Sequence, residues 1–265
     1  MTDDLRSFDI LPGAVHSPVI LHVPHSAREI PPSVRAGIVL DDDELAQELD
    51  HITDAHTAQI ADVAAGAAGV VPWRFVNRLS RLVVDPERFP DEREEMRAVG
   101  MGAVYTRTTH GAVLRSGDVE AGPLVARYFL PYARAMTRAV ADRLAATGRA
   151  VIIDVHSYPQ ARLPYELHGE GPRPPVCLGT DSFHTSPGLL DAARQAFGDV
   201  GKTELDSPFR GAYVPLEFYG TDPRVEALMV EIRRDTYMTE PGGPAGPGLK
   251  RFAAALARLV DAVSG

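Results

Sequence analysis

The chain is poor in the features that mark secreted and membrane proteins. Its 265 residues contain one cysteine, Cys177, which excludes an internal disulfide and a metal site made of several thiolates. No apolar run approaches the roughly 18 residues of a transmembrane helix. The first ten residues, MTDDLRSFDI, carry early acids and lack the apolar core of a secretory signal. We therefore expect a protein of a reducing compartment, the cytoplasm.

Positive charge is also scarce. Lysine and arginine total 27 against 36 aspartate and glutamate residues, which gives a formal net charge of -9. This balance argues against nucleic acid or an anionic membrane surface as the main partner, because both bind basic surfaces. A small anionic substrate stays possible, since a pocket can be locally basic inside an acidic protein.

What the chain does contain is a series of apolar strand segments that alternate with helical segments. The predicted strands are residues 19–23, 70–75, 82–84, 151–155, 176–178 and 228–232. The predicted helices are residues 41–65, 123–147, 187–197 and 249–263, and the stretch EPGGPAGPG at 240–248 reads as a loop. This alternation predicts one α/β domain over residues 1–265, with a mainly parallel sheet and helices on both faces.

Three of the predicted strands end in polar side chains. "VILHVPHSAREIPP" places His22 in a strand and His25 just past it, "VIIDVHSYP" places His156 past another, and "LMVEIRRDTYM" places Glu231 near the end of a third. Ligands of open α/β sheets bind beyond the carboxyl ends of the strands. If these strands are neighbours, two imidazoles and a carboxylate converge, which are the ligands and base of a catalytic zinc site. We expect His22 itself to be a packed core residue.

The residue spacing leaves the third metal ligand open between two acids. Glu29 lies four residues after His25, and Asp50 lies in "QELDHITDAHT", on a helix expected to pack nearby. Further polar atoms on that helix belong to His51, Asp54 and His56. A serine nucleophile at Ser157 is disfavoured, because the chain has no G-x-S-x-G elbow.

The order of several short blocks resembles that of the N-formylglutamate amidohydrolases. These blocks are "PHS", "LD-x-x-TD", "SRLVVDPERF", "DVHSYP", "CLGTD" and "EIRRDTYM", and they run from about Val19 to Met238. The blocks "DVHSY" and "EIRRD" also resemble the strands of zinc carboxypeptidases that carry the second zinc histidine and the general base. The resemblance implies a mixed, doubly wound α/β sheet of the phosphorylase/hydrolase-like kind and one divalent metal ion, Zn²⁺.

The same resemblance implies a metal centre and a base. His25 and His156 match the two imidazole ligands, and Glu231 matches the general base. Asp50 is preferred to Glu29 as third ligand, because the family pattern repeats an acid at that place. Two further acids, Asp154 and Asp85, match groups that fix an imidazole tautomer or an arginine fork.

The cations that meet the substrate are likewise implied by the resemblance. Arg81 matches the residue that stabilises the carbonyl oxygen, and Arg88 matches one that binds a substrate carboxylate. A dianionic amino acid needs a further cation, and we expect Arg233 or Arg78 to supply it. Such a cationic pocket would be conspicuous in an acidic protein.

The chain departs from the family pattern at two places. It has Asp85-Pro86-Glu87-Arg88 where the family commonly has Asp-Leu-Asn-Arg, and Ala27 where the family has glycine. Neither change touches an expected ligand or base. We expect hydrolysis of the formyl amide of N-formyl-L-glutamate to formate and L-glutamate. The alternatives are a related zinc hydrolase of another N-acyl amino acid or small peptide, and a non-catalytic acyl-amino-acid binding protein.

Overall fold

The computed structural model describes residues 6–115, 121–168 and 170–265, so the first five residues of the stretch examined for a secretory signal lie outside it. Seven strands form one sheet in the order β1-β3-β2-β4-β7-β5-β6. The strands are β1 Phe8–Leu11, β2 Val19–Val23, β3 Trp73–Asn77, β4 Ala150–Tyr158, β5 Val176–Gly179, β6 Thr203–Leu205 and β7 Val225–Arg233.

The directions of the strands confirm the predicted mixed, mainly parallel sheet. Strands β3, β2, β4 and β7 run parallel to one another in the centre. Strand β1 pairs antiparallel with β3, and β5 pairs antiparallel with β7. The two central strands β2 and β4 are buried at every position, which is why they read as continuous apolar runs.

Helices cover both faces of the sheet. The α-helices are α1 Pro32–Arg35, α2 Asp42–Ile52, α3 Thr57–Ala67, α4 Ala121–Leu124, α5 Leu130–Thr147, α6 Pro187–Phe197 and α7 Gly248–Val263. Side chains of α3, α6 and α7 pack on the face that carries Val151, Ile153 and Val155, whereas α5 packs on the face of Ala150 and Ile152. Within the described ranges, no helix is both long enough and apolar enough to cross a membrane.

Two of the predicted elements differ from the structure. The helix predicted over 41–65 is interrupted at residues 53–56, where His56 adopts a left-handed φ of 66°. The segment predicted as a strand at 82–84 is a buried turn, in which the Val83 N–H donates to the Ser80 carbonyl at 2.9 Å. The segment is apolar because it is buried, although it pairs with no strand of the sheet.

Candidate metal centre and active site

The site lies where three adjacent strands end. β4 lies between β2 and β7, so the carboxyl ends of these parallel strands meet at one edge of the sheet. His156 and Glu231 are direct partners in the β4–β7 register, and His25 follows the end of β2 by two residues. The sheet order therefore brings together the two imidazoles and the carboxylate that the sequence placed at strand ends.

Three side-chain atoms converge at this edge. The Nδ1 atoms of His25 and His156 are 3.3 Å apart, and Asp54 Oδ2 lies 3.1 Å from His156 Nδ1 and 3.7 Å from His25 Nδ1. All three residues are buried, and these atoms are near enough to one another to hold a single metal ion. Two histidines and one carboxylate form the donor set of catalytic zinc sites.

The acid that lies beside the imidazoles is Asp54, and neither Asp50 nor Glu29, the acids expected from the sequence, lies there. Helix α2 ends before Asp54, whose backbone N–H donates to the His25 carbonyl at 3.0 Å. The Arg234 guanidinium donates to Asp54 Oδ1 at 2.9 Å, which leaves Oδ2 facing the imidazoles. The block "LD-x-x-TD" ends on this residue, which the apolar pattern of the sequence places inside a continuous helix.

Asp50 and Glu29 have other surroundings. Asp50 lies two residues before the end of α2 and is about one-third exposed. Its carboxylate accepts a hydrogen bond from Arg28 at 2.6 Å, in a surface ion pair. Glu29 is exposed, in the loop that follows β2. Neither acid belongs to a group of candidate metal ligands among the described residues.

Carboxylates lie on the far side of each ring. His25 Nε2 hydrogen-bonds Asp85 Oδ1 at 2.8 Å, which places a proton on Nε2 and leaves the lone pair of His25 Nδ1 facing the cluster. His156 Nε2 lies 3.1 Å from both Glu87 and Asp154 but makes no hydrogen bond within the described residues, whereas His156 Nδ1 hydrogen-bonds Asp54 Oδ2 at 3.1 Å.

The electrostatics of this cluster favour a cation. Burial lowers the pKa of His156, but Asp154 and Glu87 outweigh burial and raise that pKa well above its usual value. Burial and Arg81 lower the pKa of His25, and the carboxylates of Asp85 and Asp54 outweigh them. Burial alone would raise the pKa of Asp54, but its contacts with the imidazoles keep that pKa low. Positive charge is therefore stabilised between these groups.

Glu231 has the features of an acid–base group. Its carboxylate is only 7% exposed, and its buried Oε2 has no hydrogen-bond partner within the described residues. Burial raises the pKa of Glu231 to about 7, although His156 and Arg234 oppose the shift. A carboxyl group whose pKa lies near neutrality can both take up and deliver a proton at neutral pH.

Arg81 and Arg88 meet at Asp85. Arg81 donates to Asp85 Oδ2 from Nη2 at 2.7 Å and to the Tyr105 hydroxyl from Nε at 3.0 Å. Arg88 is more loosely held, with Nε 3.4 Å from Asp85 Oδ2, and one-quarter of its side chain is exposed. Both arginines line the cavity above the imidazoles, and Asp85 links them to His25.

The structure does not bring Arg78 and Arg233 to the cavity. Arg78 is half exposed and pairs with Asp9 on β1. Arg233 pairs with Asp235 at 2.7 Å, because β7 ends at Arg233 and a 3₁₀ turn follows. The next residue, Arg234, is buried at the cavity and donates a hydrogen bond to Asp54.

Two acidic neighbours complete the imidazole cluster. Glu87 approaches His156 Nε2 to 3.1 Å and His22 Nδ1 to 3.4 Å, and its buried Oε1 has no hydrogen-bond partner in the described part of the chain. Asp154 joins His22 to His156, since its Oδ1 lies 2.9 Å from His22 Nδ1. His22 is fully buried and also bonds the Tyr132 hydroxyl. It is thus a core histidine, as expected, but one linked to the site.

A cavity of about 980 Å³ opens above these groups. Among the described residues that line it are six arginines and ten acidic residues. The cavity is therefore mixed in charge and lacks the cationic excess expected from the sequence. Any selectivity for an anion must come from individually placed arginines and from a bound cation.

Comparisons with known proteins agree on one family. The family model of N-formylglutamate amidohydrolase matches residues 17–238. An N-formylglutamate deformylase of Pseudomonas aeruginosa is 26% identical over 234 residues, which cover 84% of this chain and 83% of that protein.

Two solved structures share the fold. A crystal structure of N-formylglutamate amidohydrolase from Ralstonia eutropha JMP134 has a TM-score of 0.80 at 20% identity, and covers 98% of each chain. A gene product of Agrobacterium tumefaciens has a TM-score of 0.70 at 18% identity, covering 96% of this chain and 93% of the other. The sheet described above is therefore the architecture of these proteins.

Proposed function

Because the chain belongs to the N-formylglutamate amidohydrolase family, we propose that it hydrolyses the formyl amide of N-formyl-L-glutamate to formate and L-glutamate. The observation that carries this proposal is the convergence of His25 Nδ1, His156 Nδ1 and Asp54 Oδ2 beside the unpaired carboxylate of Glu231. Metal ligands and a separate base next to a cavity are the parts that metal-assisted amide hydrolysis requires.

The residues fit a divalent metal ion. Two imidazole lone pairs at 3.3 Å from each other and a carboxylate oxygen at 3.1 Å would repel one another without a proton or cation between them. We assign His25, Asp54 and His156 as the ligands and zinc as the ion, since zinc prefers nitrogen and carboxylate donors in threes at catalytic sites. When bound, the ion supplies a Lewis acid that polarises the amide carbonyl and acidifies water.

The proposed role of Glu231 is to move one proton. Its carboxylate takes a proton from the water whose oxygen attacks the formyl carbon. As the bond between carbon and nitrogen breaks, Glu231 delivers that proton to the nitrogen of the leaving amino acid. The products are formate and the free amino acid, and Glu231 returns to its starting state. A pKa near 7 suits both transfers.

The arginines bound to Asp85 are proposed to act on the substrate. Arg81 donates from Nε to the Tyr105 hydroxyl and from Nη2 to Asp85. Its Nη1 makes no hydrogen bond within the described residues. That donor is available to the oxygen of the amide as negative charge develops there. Arg88, whose buried Nε has no hydrogen-bond partner in the same part of the chain, is assigned to the α-carboxylate.

A second candidate function follows from the size of the cavity. A volume of about 980 Å³ is at the upper end for small-molecule pockets, which commonly hold ligands much larger than a formylated amino acid. A related zinc hydrolase of a longer N-acyl amino acid or small peptide would use the same ligands and base. A non-catalytic binding protein is disfavoured, because it would not require a buried carboxylate without a hydrogen-bond partner beside the candidate metal ligands, as Glu231 is within the described residues.

The test compares the zinc-loaded protein with its Glu231→Gln variant on N-formyl-L-glutamate. We expect a chelator to abolish turnover of the wild type, and Glu231→Gln to lower kcat by about 10²- to 10⁴-fold while it keeps its metal. Glu226→Gln, an acid at the other end of β7, is the control and should keep full activity. Full activity of Glu231→Gln, or no hydrolysis by the zinc-loaded wild type, would refute the proposal.

A further inference from the structure

The cavity contains two arginines that no acid neutralises. Of the six arginines that line it, four contact carboxylates: Arg81 and Arg88 contact Asp85, Arg93 contacts Asp91, and Arg234 contacts Asp54. The other two, Arg134 and Arg210, are exposed and make no hydrogen bond or ion pair within the described residues. An unpaired guanidinium in a cavity rich in acids is a binding point for an anion.

Arg210 belongs to a segment, residues 206–217, that borders the cavity and is fixed to the sheet at several points. Asp206 begins the segment by accepting hydrogen bonds from the Thr180 N–H at 2.7 Å and from its hydroxyl at 2.8 Å. The carbonyl of Gly211 approaches Gly179 so closely that a Cβ there would lie 2.5 Å from it. The segment thus has a defined backbone position.

The residues around Arg210 contact the strand ends that carry the site. The Phe209 ring packs edge-on against Tyr158, two residues after His156, with ring centroids 5.7 Å apart. The Tyr213 ring packs on His22 at 4.7 Å. Along the chain, Arg210 therefore lies between two residues packed on β4 and β2, the strands whose ends carry the imidazole pair. Arg134 projects from α5, whose Tyr132 also contacts His22, but within the described residues α5 has no aromatic contact like that of Phe209 with Tyr158 beside His156.

The chemistry of the proposed substrate calls for a cation at this position. The α-carboxylate is attached to the carbon that bears the amide nitrogen, so it stays near the metal ligands, where Arg88 lies 3.4 Å from Asp85. The side-chain carboxylate is two carbons farther from the amide nitrogen and needs a second cation elsewhere in the cavity. Arg233 and Arg78, expected from the sequence, lie outside the cavity.

We propose that Arg210 binds the side-chain carboxylate of the acyl amino acid and makes the enzyme selective for dianionic substrates. This inference rests on the proposed function. It assigns Arg210, held by segment 206–217, as the residue that distinguishes an acidic side chain of the substrate from a neutral one.

The experiment measures kcat/KM on N-formyl-L-glutamate and on N-formyl-L-glutamine, which has the same shape without the charge. We expect the wild type to prefer the glutamate compound. Arg210→Ala should lose about 10- to 100-fold on that compound and far less on the glutamine compound, because a charged hydrogen bond is worth that factor. Arg210→Lys should recover part of the preference, and the matched Arg134→Ala should keep it.

Three outcomes would overturn the proposal. If Arg210→Ala loses kcat/KM equally on both compounds, Arg210 does not interact with the charge of the substrate side chain. Loss of the preference in Arg134→Ala would assign the role to Arg134 on α5. A wild type that hydrolyses both compounds equally well would leave the proposed hydrolysis standing and refute this selectivity. Failure of the wild type on every formyl amino acid would instead refute the proposed function, on which this inference rests.

Discussion

Glu87 places a carboxylate in the cavity proposed to bind an anionic substrate. This carboxylate lies 3.1 Å from His156 Nε2, on the side of the ring away from the candidate metal. It has two opposing effects. It stabilises positive charge on His156, and it repels the carboxylates of the substrate across the cavity.

Replacing Glu87 by glutamine should reveal the repulsion. Glu87→Gln keeps the size of the side chain beside His156 and removes its charge. We expect KM for N-formyl-L-glutamate to fall by about three- to tenfold at low salt, with kcat little changed and the difference reduced at high ionic strength. Asp191→Asn, an exposed acid of α6 outside the cavity, is the control. Steady-state kinetics at two salt concentrations measures the change in KM, and a raised KM would contradict the charge argument.

A single break in a helix decides which acid joins the imidazoles. The capping box of Asp41 and Glu44 begins α2 as the acidic cluster predicted, but the helix ends at Ile52 and not beyond. Thr57 then starts α3 with a hydroxyl that donates to the Asp54 carbonyl at 2.7 Å. No glycine or proline marks this break, so the apolar periodicity of the sequence continues through it and predicts a helical position for Asp54.

The sequence was more informative where a local signal exists. Each of β2, β4 and β7 contains an apolar run with polar residues at or just past its carboxyl end, so His25, His156 and Glu231 could be placed at strand ends from the sequence. Whether those ends adjoin depends on long-range pairing, which the resemblance implied and the sheet order supplies. Arg233 and Arg210 could not be placed, because a 3₁₀ turn and a loop set their directions without any periodicity.

Helix α2 also carries a buried acid that should make stability depend on pH. Glu48 is 4% exposed and accepts hydrogen bonds from the Thr109 N–H at 2.8 Å and hydroxyl at 2.7 Å. Burial raises the pKa of Glu48 to about 7, although the two hydrogen bonds from Thr109 lower it. The folded protein therefore binds this proton more tightly than the unfolded chain does, and stability is lost as the pH rises from about 4.5 through about 7.

The variant Glu48→Gln should be free of this loss. Between pH 5 and pH 8 we expect the free energy of unfolding of the wild type to fall by about 2 kcal/mol more than that of Glu48→Gln. Urea unfolding at the two pH values measures the difference. Asp43→Asn, an exposed acid of the same helix, is the control. An identical pH dependence of wild type and Glu48→Gln would show that Glu48 ionises as it does in the unfolded chain.

At the scale of the whole molecule, a metal ion would join three distant parts of the chain. His25 follows β2, Asp54 lies between α2 and α3, and His156 is on β4. Because these residues adjoin only in the folded state, an ion bound by all three stabilises the native fold by mass action.

Zinc should therefore raise the melting temperature of the metal-free protein. At about 100-fold excess over the dissociation constant, binding contributes about 2.7 kcal/mol, which corresponds to roughly 5–10 °C for a chain of this size. His156→Ala should show no such rise, and magnesium should have little effect on the wild type, because it prefers oxygen ligands. Calorimetry with and without zinc measures the change in melting temperature. An equal rise in His156→Ala would place the zinc elsewhere.

The most direct test of the metal centre is the zinc content of a matched pair of variants, Asp54→Asn and Asp50→Asn, purified beside the wild type. Both changes are isosteric, and each keeps an oxygen for its arginine partner, Arg234 or Arg28. We predict about one zinc per chain in the wild type and in Asp50→Asn, and a large loss in Asp54→Asn, together with its hydrolytic activity. Zinc retained by Asp54→Asn and lost by Asp50→Asn would contradict the site described here.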